Sequence, residues 1–429
     1  MLSAELNDLL TKVDGAPMGD MISRFWQPAA LSEELPSPGC PPIRVQLLGR
    51  RLIAFRDKTG SVGLLDSKCP HRSVDLFFGR NEGDGLRCVY HGWKFNISGR
   101  CLDLPSEPAD SRMKAGITAK AYPVREVAGI IWAYVGPEAT PPEMPDLELM
   151  DLPAGHVYSS KRLMNCNYMQ ALEGSIDTAH LTFLHRSMKP ADKDIFGVGD
   201  LLKFSDSDGA PKFFCNDTPY GMAISARRDG DDDNYYWRVT QWLMPLGVLV
   251  PTATDMVCRA NFFIPIDDTN CWWYRIRYHL TRPLTSDELA EYESGDLDYS
   301  RRIPGTYVSE GNSSNDYLID RMDQERSSFT GIRSAQLQDI AVQESQGGIV
   351  DRSIERLGTS DTAIVRCRRR LIDAAKAQIV GDAPPEVHNS HLYRVRAVAM
   401  MLDKDQTADD AANQASFHRP DRSHVVEAT

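Results

Sequence analysis

The 429-residue chain lacks the features that mark membrane proteins and nucleic-acid-binding proteins. It contains no run of 18 consecutive apolar residues, so the sequence predicts no membrane-spanning helix. Its formal net charge of −12 disfavours nucleic acid as a partner, because a negative surface repels phosphate. The first residues carry Glu5 and Asp8 inside their apolar stretch, which is not typical of a signal peptide. We expect a globular protein that binds neither membranes nor nucleic acid.

Cysteine is sparse and shows no disulfide framework. Two of the nine cysteines lie in a ligand motif described below, and the other seven are scattered. They are Cys40, Cys101, Cys166, Cys215, Cys258, Cys271 and Cys367. Scattered thiols without an export signal indicate a reducing compartment, so we expect a cytoplasmic protein. A Gly-x-Gly-x-x-Gly motif and the plant-type ferredoxin cysteine spacing are also missing, so NADH and flavin chemistry would belong to another protein.

The length of 429 residues exceeds that of a usual single core and predicts more than one domain. Gly136 to Pro153 contains five prolines, which is typical of a linker or a surface strap. We predict three parts: a helical segment over residues 1–25, an all-β domain over 26–140, and a second domain over 141–429. Short strand patterns in both larger parts, with helices in the second, favour the α+β class.

Secondary structure in the second domain is read from periodicity. Predicted strands are Lys212–Arg228, Asn234–Met244, Met256–Ile266 and Cys271–Leu280. Predicted helices are Asn165–His185, Ser286–Glu293, Ser334–Gln346 and Asp361–Ile379. An earlier amphipathic helix places Leu2, Leu6, Leu9 and Leu10 on one face. From Asp405 the chain is polar and weakly patterned, so we expect a mobile tail or a strap on a neighbour.

The first ligand motif consists of Cys69-x-His71 and Cys88-x-x-His91, with sixteen residues between the two pairs. Two loops that each supply a thiolate and an imidazole can hold one metal centre, either zinc or an iron–sulfur cluster. A structural zinc site usually repeats one pair type. Mixed pairs fit a [2Fe–2S] cluster in which two cysteines hold one iron and two histidines the other. A zinc knuckle is the alternative.

The second motif is Asp177-x2-His180-x4-His185. Asp177 and His180 share a helix face, whereas residues five apart diverge by about 140° on a regular helix. The two histidines can therefore meet at one metal only if the helix widens into a π-type turn or ends between them. Two histidines and one carboxylate form the facial triad of non-haem Fe(II) oxygenases. A structural histidine pair is the alternative. Candidates for the third ligand are Asp316, Asp320, Asp323, Asp339 and Glu344.

Together, these motifs resemble the α subunits of Rieske non-haem iron oxygenases. The resemblance is carried by CPHR at 69–72, YHGWKF at 90–95 and the Asp-x2-His-x4-His spacing. The runs at 31–36, 76–95 and 315–321 resemble the phthalate-dioxygenase-like branch. The resemblance implies an N-terminal all-β Rieske domain and a catalytic domain built on a helix-grip, START-like antiparallel sheet.

The resemblance also implies the cofactors and their ligands. Cys69, His71, Cys88 and His91 would bind a [2Fe–2S] cluster. His180, His185 and Asp339 would bind Fe(2+), since the helix that carries Asp339 best resembles the third-ligand helix of the family, with Asp323 the second choice. Asp177 would connect His180 to His91 of another subunit.

The implied activity is activation of O2 to hydroxylate (cis-dihydroxylate) or O-demethylate an aromatic carboxylic acid such as a phthalate-type compound. The implied partners are a separate NADH-dependent flavin/iron–sulfur reductase and other copies of the chain, in a homotrimer or hexamer. A substrate carboxylate favours arginine, and six arginines on predicted strands are candidates: Arg227, Arg228, Arg238, Arg259, Arg275 and Arg277. The alternatives are a Rieske electron-transfer protein and a helix-grip ligand-binding protein with a structural metal.

Overall fold

The computed structural model describes residues 2–108, 110–187 and 197–417. Two helices open the chain: α1 (Ala4–Thr11) and α2 (Pro17–Ser23). Ser3 begins α1 by accepting a hydrogen bond from the Leu6 backbone N–H. Leu10 is fully buried, so the predicted amphipathic helix is confirmed.

The described residues of the first domain form short β-strands and 3-10 turns. Its strands are β1 (Gln27–Leu31), β2 (Ile43–Leu47), β3 (Arg50–Arg56), β4 (Val62–Asp66), β5 (Arg80–Asn81), β6 (Leu86–Arg87), β7 (Lys94–Phe95), β8 (Cys101–Asp103), β9 (Ala121–Tyr122), β10 (Val124–Val127) and β11 (Ile130–Ala133). They form three antiparallel sheets in the orders β1-β11-β10, β2-β3-β4-β9 and β5-β6-β7-β8. Cys69 and His71 lie in the connection between β4 and β5, and Cys88 and His91 lie in the loop between β6 and β7.

The second domain combines a large antiparallel sheet with helices. Its elements are β12 (Val157–Met164), α3 (Tyr168–Ile176), α4 (Leu181–Leu184), α5 (Leu202–Ser207), β13 (Lys212–Thr218), β14 (Gly221–Asp229), β15 (Asn234–Leu243), β16 (Gly247–Val250), β17 (Cys258–Pro265), β18 (Cys271–Tyr278), α6 (Ser286–Ser294), α7 (Arg321–Arg326), α8 (Ala335–Glu344), α9 (Thr362–Ile379), β19 (Val398–Asp403) and α10 (Ala408–Phe417). The sheet has the order β12-β18-β17-β16-β15-β14-β13, and β19 also pairs with β15. Helix α3 packs across its central strands.

Several predictions for this domain are wrong in detail. Residues 212–228 form the hairpin β13–β14 rather than one strand, because the chain turns between Thr218 and Gly221. Strands β12, β16 and β19 were not predicted. Part of the predicted polar tail is helix α10, which buries Ala411 and Ala415 against β15, and small alanines give a weak apolar pattern. Residues 418–429 lie outside the described residues.

The proline-rich segment crosses the surface and is fixed there by ion pairs. The Arg396 guanidinium donates two hydrogen bonds to Glu148, of 2.6 and 2.8 Å. Arg394 bonds Asp146 at 2.6 Å and Asp151 at 2.7 Å. The segment therefore acts as the predicted strap. The domain boundaries at residues 25/26 and 140/141 stay predictions. No helix within the described ranges is long and apolar enough to cross a membrane.

Candidate functional site

The two loops of the first ligand motif have the same backbone geometry. Ser73 N–H donates to the Cys69 carbonyl at 2.9 Å, and Gly92 N–H donates to the Cys88 carbonyl at 3.0 Å. The donor lies four residues after the cysteine in both loops and has a positive φ, 56° at Ser73 and 77° at Gly92. The two halves of the motif therefore lie on matching turns.

The four side chains of this motif converge. Cys69 and Cys88 are buried, while His71 and His91 are partly exposed and their ring centroids lie 4.5 Å apart. His71 also stacks on Trp93, with ring centroids 4.3 Å apart. The cysteines are thus the inner pair and the histidines the outer pair, as a cluster with unlike irons requires.

Two chemical details show that these residues fit a metal cluster. Burial, together with the neighbouring Cys88, raises the pKa of the Cys69 thiol to about 11. A thiolate at this position therefore needs a bound cation. The Nδ1 atom of His91 is buried and has no hydrogen-bond partner among the described residues, which leaves it available as a ligand atom.

The second motif also comes together. The Nε2 atom of His185 lies 3.4 Å from Oδ1 of Asp339, and Nε2 of His180 lies 3.8 Å from the same oxygen. One ligand atom from each residue lies within 4.8 Å of the other two. Two imidazoles and one carboxylate at this separation can occupy three corners of one metal and leave other positions open.

The predicted helix is broken, and its second part ends between the two histidines. Helix α3 ends at Ile176, and Asp177 is extended, with φ −73° and ψ 125°. The four-residue helix α4 follows, and it ends at Leu184, between His180 and His185. The predicted helix over 165–185 is therefore two helices. The second one ends between His180 and His185, which is one of the two ways in which these histidines can converge.

Arg228 holds the break in place. It is almost fully buried on β14, and its Nη2 donates to the Thr178 carbonyl at 2.7 Å. Asp177 Oδ1 accepts a hydrogen bond from the Ala179 N–H at 2.7 Å. The sequence gives no signal for this role of Arg228, because the two segments are fifty residues apart.

Each histidine has a partner on its other ring nitrogen. Nδ1 of His180 lies 3.3 Å from Oδ2 of Asp177, and Nδ1 of His185 lies 2.7 Å from Oε1 of Gln338. Both Nε2 atoms are therefore left to face Asp339. Gln338 was not predicted, although it is the residue before Asp339 in the sequence.

The carboxylates and imidazoles of this site shift one another's pKa values. Burial acts to raise the pKa of Asp339, but His185 and His180 outweigh it and hold that pKa below its ordinary value. Burial likewise opposes ionisation of Asp177, and His180 lowers its pKa overall. For His180, burial acts to lower the pKa, but Asp177 and Asp339 raise it.

The other candidate carboxylates lie elsewhere. Glu344 accepts hydrogen bonds from the Asn165 N–H at 2.7 Å and the Tyr317 hydroxyl at 2.8 Å. Asp320 begins α7 as its N-cap, and Asp323 accepts from the Ser328 hydroxyl at 3.0 Å. Asp316 is exposed. The structure brings Asp339, and none of these four, to the two histidines.

A partly open cavity lies beside the triad. Four of the six candidate arginines line it: Arg238, Arg259, Arg275 and Arg277. Asp298 was not predicted, and it binds Arg275 Nη2 and Arg277 Nη2 at 2.6 Å each. Arg275 and Arg277 are therefore already paired with a carboxylate.

Two family models match the chain. One is described as a Rieske [2Fe-2S] domain and matches residues 25–123. The other is described as a LigXa C-terminal domain like region and matches residues 133–426. The predicted [2Fe–2S] domain is thereby confirmed.

Among characterised relatives, the chain is 37% identical over 409 residues to the 3-chlorobenzoate-3,4-dioxygenase oxygenase subunit of Comamonas testosteroni, covering 91% of this chain and 93% of the relative. It is 38% identical to the phthalate 4,5-dioxygenase oxygenase subunit of Pseudomonas putida, covering 89% and 88%. It is 30% identical to the 5,5'-dehydrodivanillate O-demethylase oxygenase subunit of Sphingobium sp. (strain NBRC 103272 / SYK-6), covering 90% and 84%.

The fold is similar to that of dicamba monooxygenase bound to dicamba, with a TM-score of 0.59 and 19% identity over 84% of this chain and 99% of the other. The predicted α+β fold, with its Rieske domain and helix-grip sheet, is confirmed. The family uses mononuclear non-haem iron at its catalytic site. The chain belongs to the Rieske non-haem iron oxygenases, as the oxygenase component of the branch that contains the phthalate and chlorobenzoate dioxygenases.

Proposed function

We propose that this oxygenase component hydroxylates (cis-dihydroxylates) or O-demethylates an aromatic carboxylic acid of the phthalate or benzoate type. The observation that carries the proposal is the cavity in which a two-histidine, one-carboxylate triad lies beside buried arginines. The names of its relatives support the same class, since they act on 3-chlorobenzoate, phthalate and dehydrodivanillate.

We assign the cofactors to the two convergent sites. Cys69, His71, Cys88 and His91 hold the [2Fe–2S] cluster, and both the buried thiols and the unpaired His91 Nδ1 support this. His180, His185 and Asp339 hold Fe(2+). When bound, the cluster supplies electrons and the mononuclear iron supplies O2 activation.

The carboxylate of the substrate is assigned to Arg238. The Nε of this buried arginine has no hydrogen-bond partner among the described residues. Its other nitrogens make only long bonds, of 3.2 Å to the Tyr236 hydroxyl and 3.4 Å to the Pro251 carbonyl. Arg275 and Arg277 already form ion pairs with Asp298. Arg238 is therefore better placed than these two to form a charge-assisted pair with a substrate carboxylate.

The remaining cavity wall orients the aromatic ring and limits access by water. Phe263 and Trp273 provide an apolar surface of two aromatic rings that lie 5.4 Å apart. Asn261 is buried in the same wall, and its Oδ1 has no partner among the described residues. A substrate hydroxyl or a protein-bound water can donate to that oxygen. Ring contacts and one directed acceptor together set the position of the ring relative to the triad.

We infer that the chain works as a homotrimer or hexamer in the cytoplasm, with a separate NADH-dependent flavin/iron–sulfur reductase. Phe78, Val89 and Tyr90 are exposed around the cluster loops. Phe183 and Phe329 are exposed beside the triad, with rings 5.9 Å apart. Two different apolar patches on one chain favour a head-to-tail ring of copies, in which Asp177 of one chain faces His91 of the next.

The test is O2 consumption by the purified protein with a Rieske-type reductase and NADH, screened over benzoates, phthalates and methoxybenzoates. We expect O2 uptake that depends on one of these acids, with a dihydrodiol, phenol or demethylated acid as product. Neutral analogues that carry a carboxamide should be poor substrates. Uptake that no aromatic acid stimulates would contradict the proposal.

A further inference from the structure

Gln338 is the residue before Asp339 on α8. Its side-chain amide forms hydrogen bonds with His185 and with Ile332. Its Oε1 lies 2.7 Å from Nδ1 of His185, and its Nε2 donates to the Ile332 carbonyl at 2.8 Å. A carbonyl oxygen can only accept a hydrogen bond. The amide nitrogen must therefore face Ile332, and the amide oxygen must face His185.

This orientation determines which nitrogen of His185 carries the hydrogen. An amide oxygen can only accept, so Nδ1 of His185 is the protonated nitrogen. The lone pair is then on Nε2, the atom that lies 3.4 Å from Asp339 Oδ1 on the side of the triad. That is the form in which a neutral imidazole binds a metal.

The surrounding backbone fixes the position of Gln338. Ser334 has a φ of 60° and begins α8, and its carbonyl accepts a hydrogen bond from the Gln338 N–H at 3.2 Å. The loop before α8 is bonded to the residue after His185, since the Phe329 N–H donates to the Arg186 carbonyl at 3.1 Å. His185, the loop before α8 and α8 itself are therefore held together around the side-chain amide of Gln338.

We propose that Gln338 is a positioning residue that holds His185 in its metal-binding tautomer. This rests on the proposed iron site. The two histidines then differ in their support, because His180 has the carboxylate of Asp177 and His185 has a neutral amide. The amide orients His185 without adding a further negative charge next to Asp339.

The test compares Fe(2+) affinity in three variants by anaerobic calorimetry, on protein treated with a chelator that leaves the cluster in place. Gln338→Met removes both amide bonds at nearly constant length. Gln338→Glu also loses the bond to Ile332, because it has no N–H, but it keeps an oxygen acceptor for His185 Nδ1–H. The matched control is Gln324→Leu, which also removes two amide bonds, one donated to the Phe329 carbonyl at 3.4 Å and one accepted from Arg321 at 2.8 Å, without touching a candidate ligand.

We expect Gln338→Met to weaken Fe(2+) binding by about 10- to 100-fold. Gln338→Glu and Gln324→Leu should bind within about threefold of the unchanged protein, since neither removes the acceptor for His185. The cluster spectrum should be the same in all four proteins.

Unchanged affinity in Gln338→Met would overturn the inference. Equal weakening in Gln338→Met and Gln338→Glu would also overturn it, because the lost bond to Ile332 would then explain both. If the unchanged protein binds no Fe(2+) beyond its cluster, the proposed iron site itself is wrong, so the two failures are distinguishable.

Discussion

Asp177 Oδ2 lies 3.3 Å from Nδ1 of His180, three residues further along the chain, where α3 has ended and α4 has not yet begun. This pair lowers the pKa of the carboxyl and raises that of the imidazole, against the effect of burial on both. Asp177 is therefore an ionised group that contacts a proposed iron ligand. It is placed to hold a proton on Nδ1 and to influence His180 without binding the metal.

The first prediction concerns Asp177→Asn. The amide oxygen can still accept from His180 Nδ1–H, so the iron content should stay near that of the unchanged protein. The negative charge is lost, and product formation should fall by about 10- to 100-fold, the usual effect of removing such a partner. The measurements are iron per chain and product per minute. Loss of iron in proportion to activity would show that Asp177 serves the metal site alone.

A second prediction tests whether electrons cross between chains. His91→Ala lacks a cluster ligand and His180→Ala lacks an iron ligand, so each alone should be inactive. Co-expressed in equal amounts, they should recover about a quarter of the unchanged activity, because one in four head-to-tail contacts in a random ring joins an intact cluster to an intact iron site. Co-purified mixed rings with no activity would indicate transfer within one chain.

The third prediction assigns the substrate carboxylate to Arg238. Arg238→Leu should raise KM for the aromatic acid by about 10- to 100-fold, which corresponds to losing one charge-assisted hydrogen bond. The matched control is Arg227→Leu on the neighbouring strand β14, where the guanidinium lies over the Tyr235 ring at 4.1 Å rather than in the cavity. Equal KM changes in both variants would contradict the assignment.

The fourth prediction concerns Asp298, which binds Arg275 and Arg277 in the cavity wall. Burial opposes its ionisation, but the arginines hold the pKa of Asp298 well below its ordinary value. Asp298→Asn leaves two buried guanidinium groups without a counter-charge and should lower the free energy of unfolding at pH 7 by about 3–5 kcal/mol.

The pH dependence follows from the sign of that shift. A depressed pKa in the folded state gives stability that is present above the unfolded value of about 3.9 and is lost below it. The urea midpoints of the two proteins should therefore differ by a constant amount from pH 7 to 5 and converge at lower pH. The control Asp296→Asn, which removes a more exposed ion pair with Arg301, should change stability by about 1 kcal/mol or less. A gap that widens on acidification would contradict the account.

Candidate ligands can be predicted from sequence where they are close together in the chain. Cys69, His71, Cys88 and His91 lie within 23 residues, and His180 and His185 lie in one short segment. Asp339 was chosen among five carboxylates by resemblance alone, because nothing local shows that α8 approaches α4.

The residues that contact the candidate ligands could not be predicted in the same way. Gln338 forms its bond to His185 across 153 positions, and Arg228 bonds to Thr178 across 50. Such contacts depend on the whole sheet rather than on a local period. Strands β16 and β19 were missed for a related reason, since β16 has four residues and β19 pairs with a strand far away in sequence.

The most direct test of the central claim is the iron and acid-labile sulfide content of the unchanged protein, Asp339→Ala and Asp323→Ala. We predict about three irons and two sulfides per chain in the unchanged protein and in Asp323→Ala. Asp339→Ala should keep the cluster colour and both sulfides and hold about two irons. Three irons in Asp339→Ala, or a loss of one iron in Asp323→Ala, would contradict the assignment of His180, His185 and Asp339 as the mononuclear iron site.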